Sequence, residues 1–295
     1  MNEINYFSVT SSNFFFLKKY IYFVLLKYWQ NLKTRNFKRT QDFVNFAYDQ
    51  GAWDRVLQSK FWEKYDSLES FLYGHYQSGE CRNKQTIALY ENKLCALPVS
   101  ILQEKYIKQR IDVFRKFLPL NGEIVEIGCG IGYNLFSLRL HKFENNLTGF
   151  DISKNSINSA NIINDKFSLG VKFENIGLTK NFESSKLKGK TIFTNYVFEQ
   201  LTHLTNDALM KILESEPLQV FHFEPLYELY ENTLHDAARK KYIEFKDYQK
   251  TLFIELKNME RKNLIEITHC YKLSTAPNPL HVPYFIRWIP KSPKN

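Results

Sequence analysis

The sequence predicts an α/β fold in which a mostly parallel sheet carries helices on both faces and sits behind a helical N-terminal cap. Three observations carry that prediction. Strand-like and helix-like segments alternate from residue 123 onward, three alternate glycines follow the first of those strands, and residues 1–99 read as mostly helical and aromatic. With 295 residues the chain can bury one large α/β core or two modest ones. Apolar residues make up 44% and charged residues 24%, which sets aside the disordered and fibrous classes.

Taken in order, Ile101, Leu102, Tyr106, Ile107, Ile111, Phe114 and Leu118 trace one apolar helix face, ended by Pro119 and the turn at Asn121-Gly122. A strand over 123–127 leads through the glycines to a helix over 133–140. A strand over 146–150 leads to a helix beginning near Ser153, and a third strand spans 171–175. The fourth, 190–195, precedes a helix near 206–213, and the fifth, 218–223, ends at Glu224-Pro225. From Leu226 to Ala276 there is neither Gly nor Pro, and the part through Met259 is rich in Glu, Lys, Leu and Tyr, so a long helix is expected there. Strands over 264–273 and 282–289 complete seven, a Rossmann-like arrangement. In the cap, a break is expected at Tyr73-Gly74-His75 and a loop around 77–80.

The net charge is +9, so an anionic partner is plausible. Lys18, Lys19, Lys27, Lys33, Arg35, Lys38 and Arg39 face only Glu3 and Asp42 in the opening segment, and Arg287, Lys291 and Lys294 lie near the end. This pattern suits either a solvated surface or a phosphate- or membrane-facing patch. The apolar run from Phe14 to Trp29 is broken by three lysines. Its longest uncharged piece, 20–26, falls short of the about 20 residues a bilayer span needs. Leu17, Ile21, Val24, Leu25 and Tyr28 recur at helical spacing, as expected of a helix docked on the rest of the chain or lying on an anionic membrane surface. The four cysteines form no CxxC pair and no zinc-ligand grouping, so no metal is expected and a reducing, cytoplasmic setting fits. Cys129, inside the glycine turn, reads as a packing residue.

The segment Ile124-Val125-Glu126-Ile127-Gly128-Cys129-Gly130-Ile131-Gly132-Tyr133-Asn134 places an acid near the end of a buried strand and three glycines in the following turn. Glycine lets backbone approach a ligand closely and permits positive φ. A dinucleotide site would want G-x-G-x-x-G, with its third glycine at position 133, where Tyr133 stands. A second acid, Asp151, ends the next strand roughly 20 residues after the glycines, where a carboxylate can accept from ribose hydroxyls. It could equally cap the helix that follows.

These residues resemble the acid-x-G-x-G-x-G signature of the class I S-adenosylmethionine-dependent methyltransferases. The resemblance implies S-adenosylmethionine as cofactor, a sheet whose last strand enters antiparallel and a catalytic domain over 100–295, while the helical, aromatic residues 1–99 read as an appended cap or lid. It further implies that Glu126 orients the cofactor's amino group, that Gly128, Gly130, Gly132 and Asn134 shape the turn holding its methionine end, and that Asp151 with Ile152 holds the ribose. Asn175 and Ile176 occupy the place that meets the adenine, with Asn175 where an acid is usual, and Asn195 and Tyr196 lie where acceptor meets methyl group.

Methyl transfer from a sulfonium is an in-line displacement, so the protein must align the acceptor and, for a hydroxyl, remove its proton. The loop after the fourth strand reads Thr194-Asn195-Tyr196-Val197 rather than (D/N)-P-P-(Y/F), which argues against the amino-methylating DNA and protein-glutamine branches. Candidate bases are His203, His222, Glu224 and, if the cap folds over the cleft, His75. The expected activity is O-methylation of a small-molecule or saccharide acceptor, with a surface polysaccharide precursor at the membrane face as one version. The alternatives are an RNA methyltransferase and a non-catalytic cofactor-binding or partner-docking protein.

Overall fold

Residues 39–76, 79–80, 85–178, 182–202 and 205–291, with Ile21, Tyr22, Val24, Leu25 and Trp29, are described by a computed structural model of the chain. Helix α1 (Gln41–Phe46), capped by the Thr40 hydroxyl, runs through a π-helical turn (Ala47–Trp53) into α2 (Asp54–Ser59). After a 3₁₀ turn (Phe61–Lys64) and α3 (Leu68–Gly74), the chain makes two antiparallel pairs. These are β1 (His75–Tyr76) with β2 (Gly79–Glu80), and β3 (Gln85–Tyr90) with β4 (Lys93–Pro98). Helix α4 (Val99–Phe117) then leads into the main sheet.

The expectation of a mostly helical cap is corrected at residues 85–98, which form a hairpin. Glu91 and Asn92 take φ of 49° and 63° at its tip, the left-handed geometry of a tight two-residue hairpin turn. Leu89 exchanges both backbone hydrogen bonds with Ala276, fastening the hairpin to the other end of the fold. In the membrane-or-docked segment, Leu17 and Tyr28 lie outside the described residues. Val24 packs against the hairpin's cluster of Leu89, Leu94 and Ala276, while Ile21, Tyr22, Leu25 and Trp29 are exposed. No described helix is long and apolar enough to cross a membrane.

The main sheet is built from β5 (Glu123–Ile127), β6 (Asn146–Phe150), β7 (Lys172–Glu174), β8 (Thr191–Asn195), β9 (Gln219–Glu224), β10 (Ile265–Lys272) and β11 (Tyr284–Pro290). Its order is β10-β11-β9-β8-β5-β6-β7, parallel except where β11 runs antiparallel to both neighbours. Between the strands lie α5 (Tyr133–Leu140), α6 (Lys154–Phe167, capped by Ser153) and α7 (Thr205–Glu214). The single long helix expected over 226–259 is instead a 3₁₀ turn (Tyr227–Leu229), α8 (Leu234–Lys246) and α9 (Leu252–Arg261). Short polar side chains do what Gly and Pro were expected to do. Thr233 caps the start of α8 by accepting from Asp236 N–H, and Asp247 ends it in the left-handed conformation at φ 49°.

Alternate residues of each strand enter different cores, as a sheet covered on both faces requires. Ile124, Phe193, Phe221 and Phe285 join α4, α5, α6 and the N-terminal helices on one face. Val125, Ile192, Val220 and Ile286 join α7, α8 and α9 on the other. Phe114 of α4 centres the first core, its ring 5.0, 6.1 and 5.5 Å from those of Phe193, Phe221 and Phe223. Removing that ring should cost about 3–5 kcal/mol. Urea unfolding of Phe114→Ala followed by circular dichroism is therefore expected to show a large drop in midpoint at unchanged slope, and a loss below about 1 kcal/mol would contradict this packing.

Candidate active site

Strand order reverses at β5. The chain goes outward through β6 and β7, then returns to β8 on the opposite side, leaving a crevice at the carboxyl ends of the strands. A cleft of about 540 Å³ occupies that crevice, within the ~300–1,000 Å³ usual for small-molecule and cofactor sites.

Its floor is the glycine turn. Gly128 and Cys129 N–H both donate to Phe150 O, at 2.7 and 3.0 Å, which sews the turn onto β6. A Cβ on Gly128, at φ 71°, would come within 2.4 Å of Val197. Gly130, at φ 54°, donates its N–H to Asp151 Oδ2 at 2.8 Å, and a Cβ there would meet the Trp53 ring at 3.0 Å. Asp151 Oδ1 accepts from Ser153 N–H at 2.8 Å. Burial raises the Asp151 carboxyl, while those two backbone donors oppose the rise. Each oxygen keeps a lone pair for a further donor. Cys129 is buried, and its thiol is pushed well above the ordinary range by that burial, as befits a packing residue.

Behind this turn lie two buried ionisable groups, a carboxyl and a guanidinium, with unfilled bonding capacity. Glu126 is fully buried. Its Oε1 accepts from Asn134 Nδ2 at 2.5 Å, and its Oε2 has no hydrogen-bond partner. Burial pushes its carboxyl up to about 8, against the Asn134 hydrogen bond and the charge of Arg110. Arg110, on α4 and 4% exposed, lies 4.1 Å over the Tyr106 ring and reaches Asn195 Oδ1 at 3.5 Å, while its Nη2 has no partner. Leaving buried donors and acceptors unpaired costs about 1–3 kcal/mol each, more when charged.

The roof comes from the N-terminal helices. Asp49, on the π-helical turn, accepts from Ser153 Oγ at 2.6 Å and Asn155 N–H at 3.1 Å, clamping the turn to the start of α6 and holding Trp53 over Gly130. Single π-helical turns inside helices recur at functional sites. At the far end, Tyr196, Tyr242 and Tyr248 surround His281, with ring centroids at 5.0, 5.4 and 5.2 Å. Tyr196 adopts φ 58°, a strained conformation for a side-chain-bearing residue. It is held by its N–H on Phe223 O at 3.1 Å and its hydroxyl on His281 O at 3.0 Å.

Of the residues singled out from sequence, Gly128, Gly130, Asn134, Asp151, Ile152, Ile176, Asn195 and Tyr196 line the cleft. Glu126, Gly132 and Asn175 sit behind its wall. Asn175 spends its side-chain amide on Asp151 O and Ile152 O, both at 2.9 Å, which braces the turn after β6. The expected bases fare differently. His222 is fully buried between Thr194 Oγ1 and Trp288 Nε1, each at 2.9 Å, and burial pushes its imidazole down to about 3, so it stays neutral and away from the cleft. Glu224 is likewise fully buried, accepts from Val197 N–H at 2.9 Å and does not border the cleft. Neither can meet an acceptor. His203 and the His75 side chain lie outside the described residues.

Sequence reading missed Trp53, Tyr48, Arg110 and His281, all on the cleft wall, and gave no separate role to Glu199, which lines it too. Two signals were available. Arg110 lies four residues after Tyr106 and four before Phe114, so it interrupts an otherwise apolar helix face. His281 stands alone in Pro277-Asn278-Pro279-Leu280-His281-Val282-Pro283, a rigid loop rather than a packed element.

Residues 120–221 match the family model described as a methyltransferase domain. No curated protein matches the chain. Among solved structures, magnesium protoporphyrin IX methyltransferase from Synechocystis PCC 6803 with bound S-adenosylhomocysteine is similar at a TM-score of 0.51 and 13% identity, covering 65% of this chain and 85% of that one. The plantazolicin methyltransferase BpumL, in complex with a triazolic desmethylPZN analogue and S-adenosylhomocysteine, aligns at a TM-score of 0.49 and 14% identity, covering 85% of this chain and 96% of that one. At such identity the first similarity establishes the fold.

Because burial holds Glu126 and Glu224 near 8, both are neutral when folded and charged when unfolded between their ordinary value of 4.5 and that pH. Their contribution to stability is complete below 4.5 and is lost as pH rises toward 8. His222 acts in the opposite sense, but only below its ordinary 6.5. Thermal melts of the ligand-free protein are expected to fall steadily from pH 6.5 to about 8, and Glu126→Gln with Glu224→Gln to flatten that fall. A wild-type melting temperature that rises across the window would contradict the assignment.

Proposed function

We propose that this chain, which carries a class I S-adenosylmethionine-dependent methyltransferase domain over residues 120–221, methylates a hydroxyl of a small, uncharged, polyhydroxylated acceptor of saccharide type. Its cofactor is S-adenosylmethionine, which supplies the methyl group on its sulfonium. The observation that carries the cofactor assignment is the pair of unfilled groups at the glycine turn. Arg110 Nη2 and Glu126 Oε2 are a buried cation and a buried carboxyl without partners, and an amino acid end brings one carboxylate and one ammonium. Arg110, on the cleft wall, would take the carboxylate directly. Glu126, one layer behind, would act on the ammonium through Asn134, which it holds. Asp151 has acceptor capacity left for ribose hydroxyls, and Ile152, Ile176 and Leu178 offer the apolar walls that suit adenine.

Support for the acceptor class comes from the remainder of the lining. Tyr48, Tyr196, Tyr242 and Tyr248 supply flat faces, and Gln41, Asn45, Gln103 and Asn278 supply amides that both donate and accept. Sugars present apolar C–H faces and hydroxyls that do both as well, so the two sets are complementary. Among the described residues, Asp151 and Glu199 are the charged ones that line the cleft besides Arg110, leaving few cations for a phosphate backbone. That balance disfavours an RNA acceptor.

The test is transfer of tritiated methyl from S-adenosylmethionine to a panel of neutral mono- and oligosaccharides, small phenols and short RNAs. Label is expected in a saccharide as a methyl ether. Label confined to RNA, or no transfer to any hydroxyl compound, would overturn the acceptor reading.

A further inference from the structure

We infer that His281 is the base that deprotonates the acceptor hydroxyl and that Glu199 is the carboxylate that positions it, an inference that rests on the methyltransferase reading above. Both residues line the cleft, and both are nearly dry, at 7% and 6% exposure. Such burial is unusual for two ionisable side chains unless they serve each other or a ligand. His281 Nε2 lies 2.5 Å from Glu199 Oε2, a charge contact whose angles fall outside hydrogen-bond alignment. Catalytic hydrogen bonds are often misaligned before substrate arrives and tighten with it.

The frame around the pair is rigid on every side. His281 N–H donates to Asn278 O at 2.9 Å within a loop that holds Pro277, Pro279 and Pro283, and its carbonyl accepts from the Tyr196 hydroxyl. Tyr248 stacks on the imidazole at 25° between planes. Glu199 Oε1 accepts from Gln200 Nε2 at 2.6 Å. The Arg39 guanidinium donates to Glu199 O at 3.4 Å and Asp247 O at 2.9 Å, and lies 4.9 Å over the Tyr248 ring. The titratable and charged groups around the imidazole are thus Glu199, Tyr196, Tyr242 and Tyr248, with Arg39 beyond Tyr248.

The chemistry follows from the tautomer. Glu199 favours the proton on Nε2, which leaves the lone pair on Nδ1. An acceptor hydroxyl seated against the tyrosine faces gives its proton to Nδ1. Its oxygen forms the new bond to the methyl carbon as the carbon–sulfur bond breaks and that electron pair returns to sulfur, yielding methyl ether and S-adenosylhomocysteine. The imidazolium left behind is balanced by Glu199 and passes its proton to water.

The test takes the full-length chain, the saccharide that accepts label from wild type, and the variants His281→Ala and Glu199→Gln. General-base catalysis is worth about 10²–10⁴-fold. His281→Ala is expected to lose kcat in that range, to bind S-adenosylhomocysteine as wild type does by calorimetry, and to regain part of its rate with added imidazole. Glu199→Gln should keep the base but lose its orientation, lowering kcat while KM for the saccharide and the affinity for S-adenosylhomocysteine stay those of wild type. His281→Ala that keeps wild-type kcat, or that loses activity without imidazole rescue while still binding S-adenosylhomocysteine, overturns the base assignment and leaves the acceptor reading standing. Transfer by wild type to nitrogen or carbon acceptors alone overturns both.

Discussion

Burying an ionisable group without a partner is expensive, and the middle of this molecule is arranged around two of them, a guanidinium and a carboxyl. Glu126 ends up there because the acid falls near the close of a strand covered on both faces. Arg110 ends up there because it shares a helix face with Phe114, which is locked into the aromatic core one turn below. Neither can move to water without dismantling the packing around it. The protein itself answers only part of the cost, through Asn134 on one side and Tyr106 with Asn195 on the other. What remains, Arg110 Nη2 and Glu126 Oε2 without partners, is bonding capacity that a preorganised site can convert into affinity.

The same economy explains the N-terminal helices. The glycine turn must leave its backbone bare for a ligand to approach, so another element has to cover it. Trp53 does so, and Asp49 anchors the covering turn to Ser153 and Asn155 rather than to the glycines themselves. The roof is therefore tied at the start of α6, beside Asp151. Val56 and Trp53 carry the roof on into the aromatic core that it shares with α4.

Much of this was legible in the sequence because strand alternation and glycine spacing are local. The strands follow from local alternation, Asp151 from its distance to the glycine turn, and the antiparallel last strand from the family resemblance. The misreadings share a different cause. Helix α8 ends at Asp247 and the hairpin over 85–98 turns at Glu91-Asn92, positions where ordinary polar residues adopt left-handed backbone that composition alone attributes to glycine. His222 looked available for chemistry, yet it is fully buried because the strand that carries it is covered on both faces. His281 looked ordinary because its partners, Glu199 and three tyrosines, come from segments far apart in the chain.

The central claim is that Arg110 and Glu126 read the amino acid end of the cofactor. Calorimetric titration with S-adenosylhomocysteine and with 5′-methylthioadenosine, which lacks that end, tests it directly in wild type and in Arg110→Met. The account predicts that wild type prefers S-adenosylhomocysteine on the order of 100-fold and that the preference collapses in the variant. Equal affinity of wild type for the two ligands, or a preference that survives Arg110→Met, would contradict it.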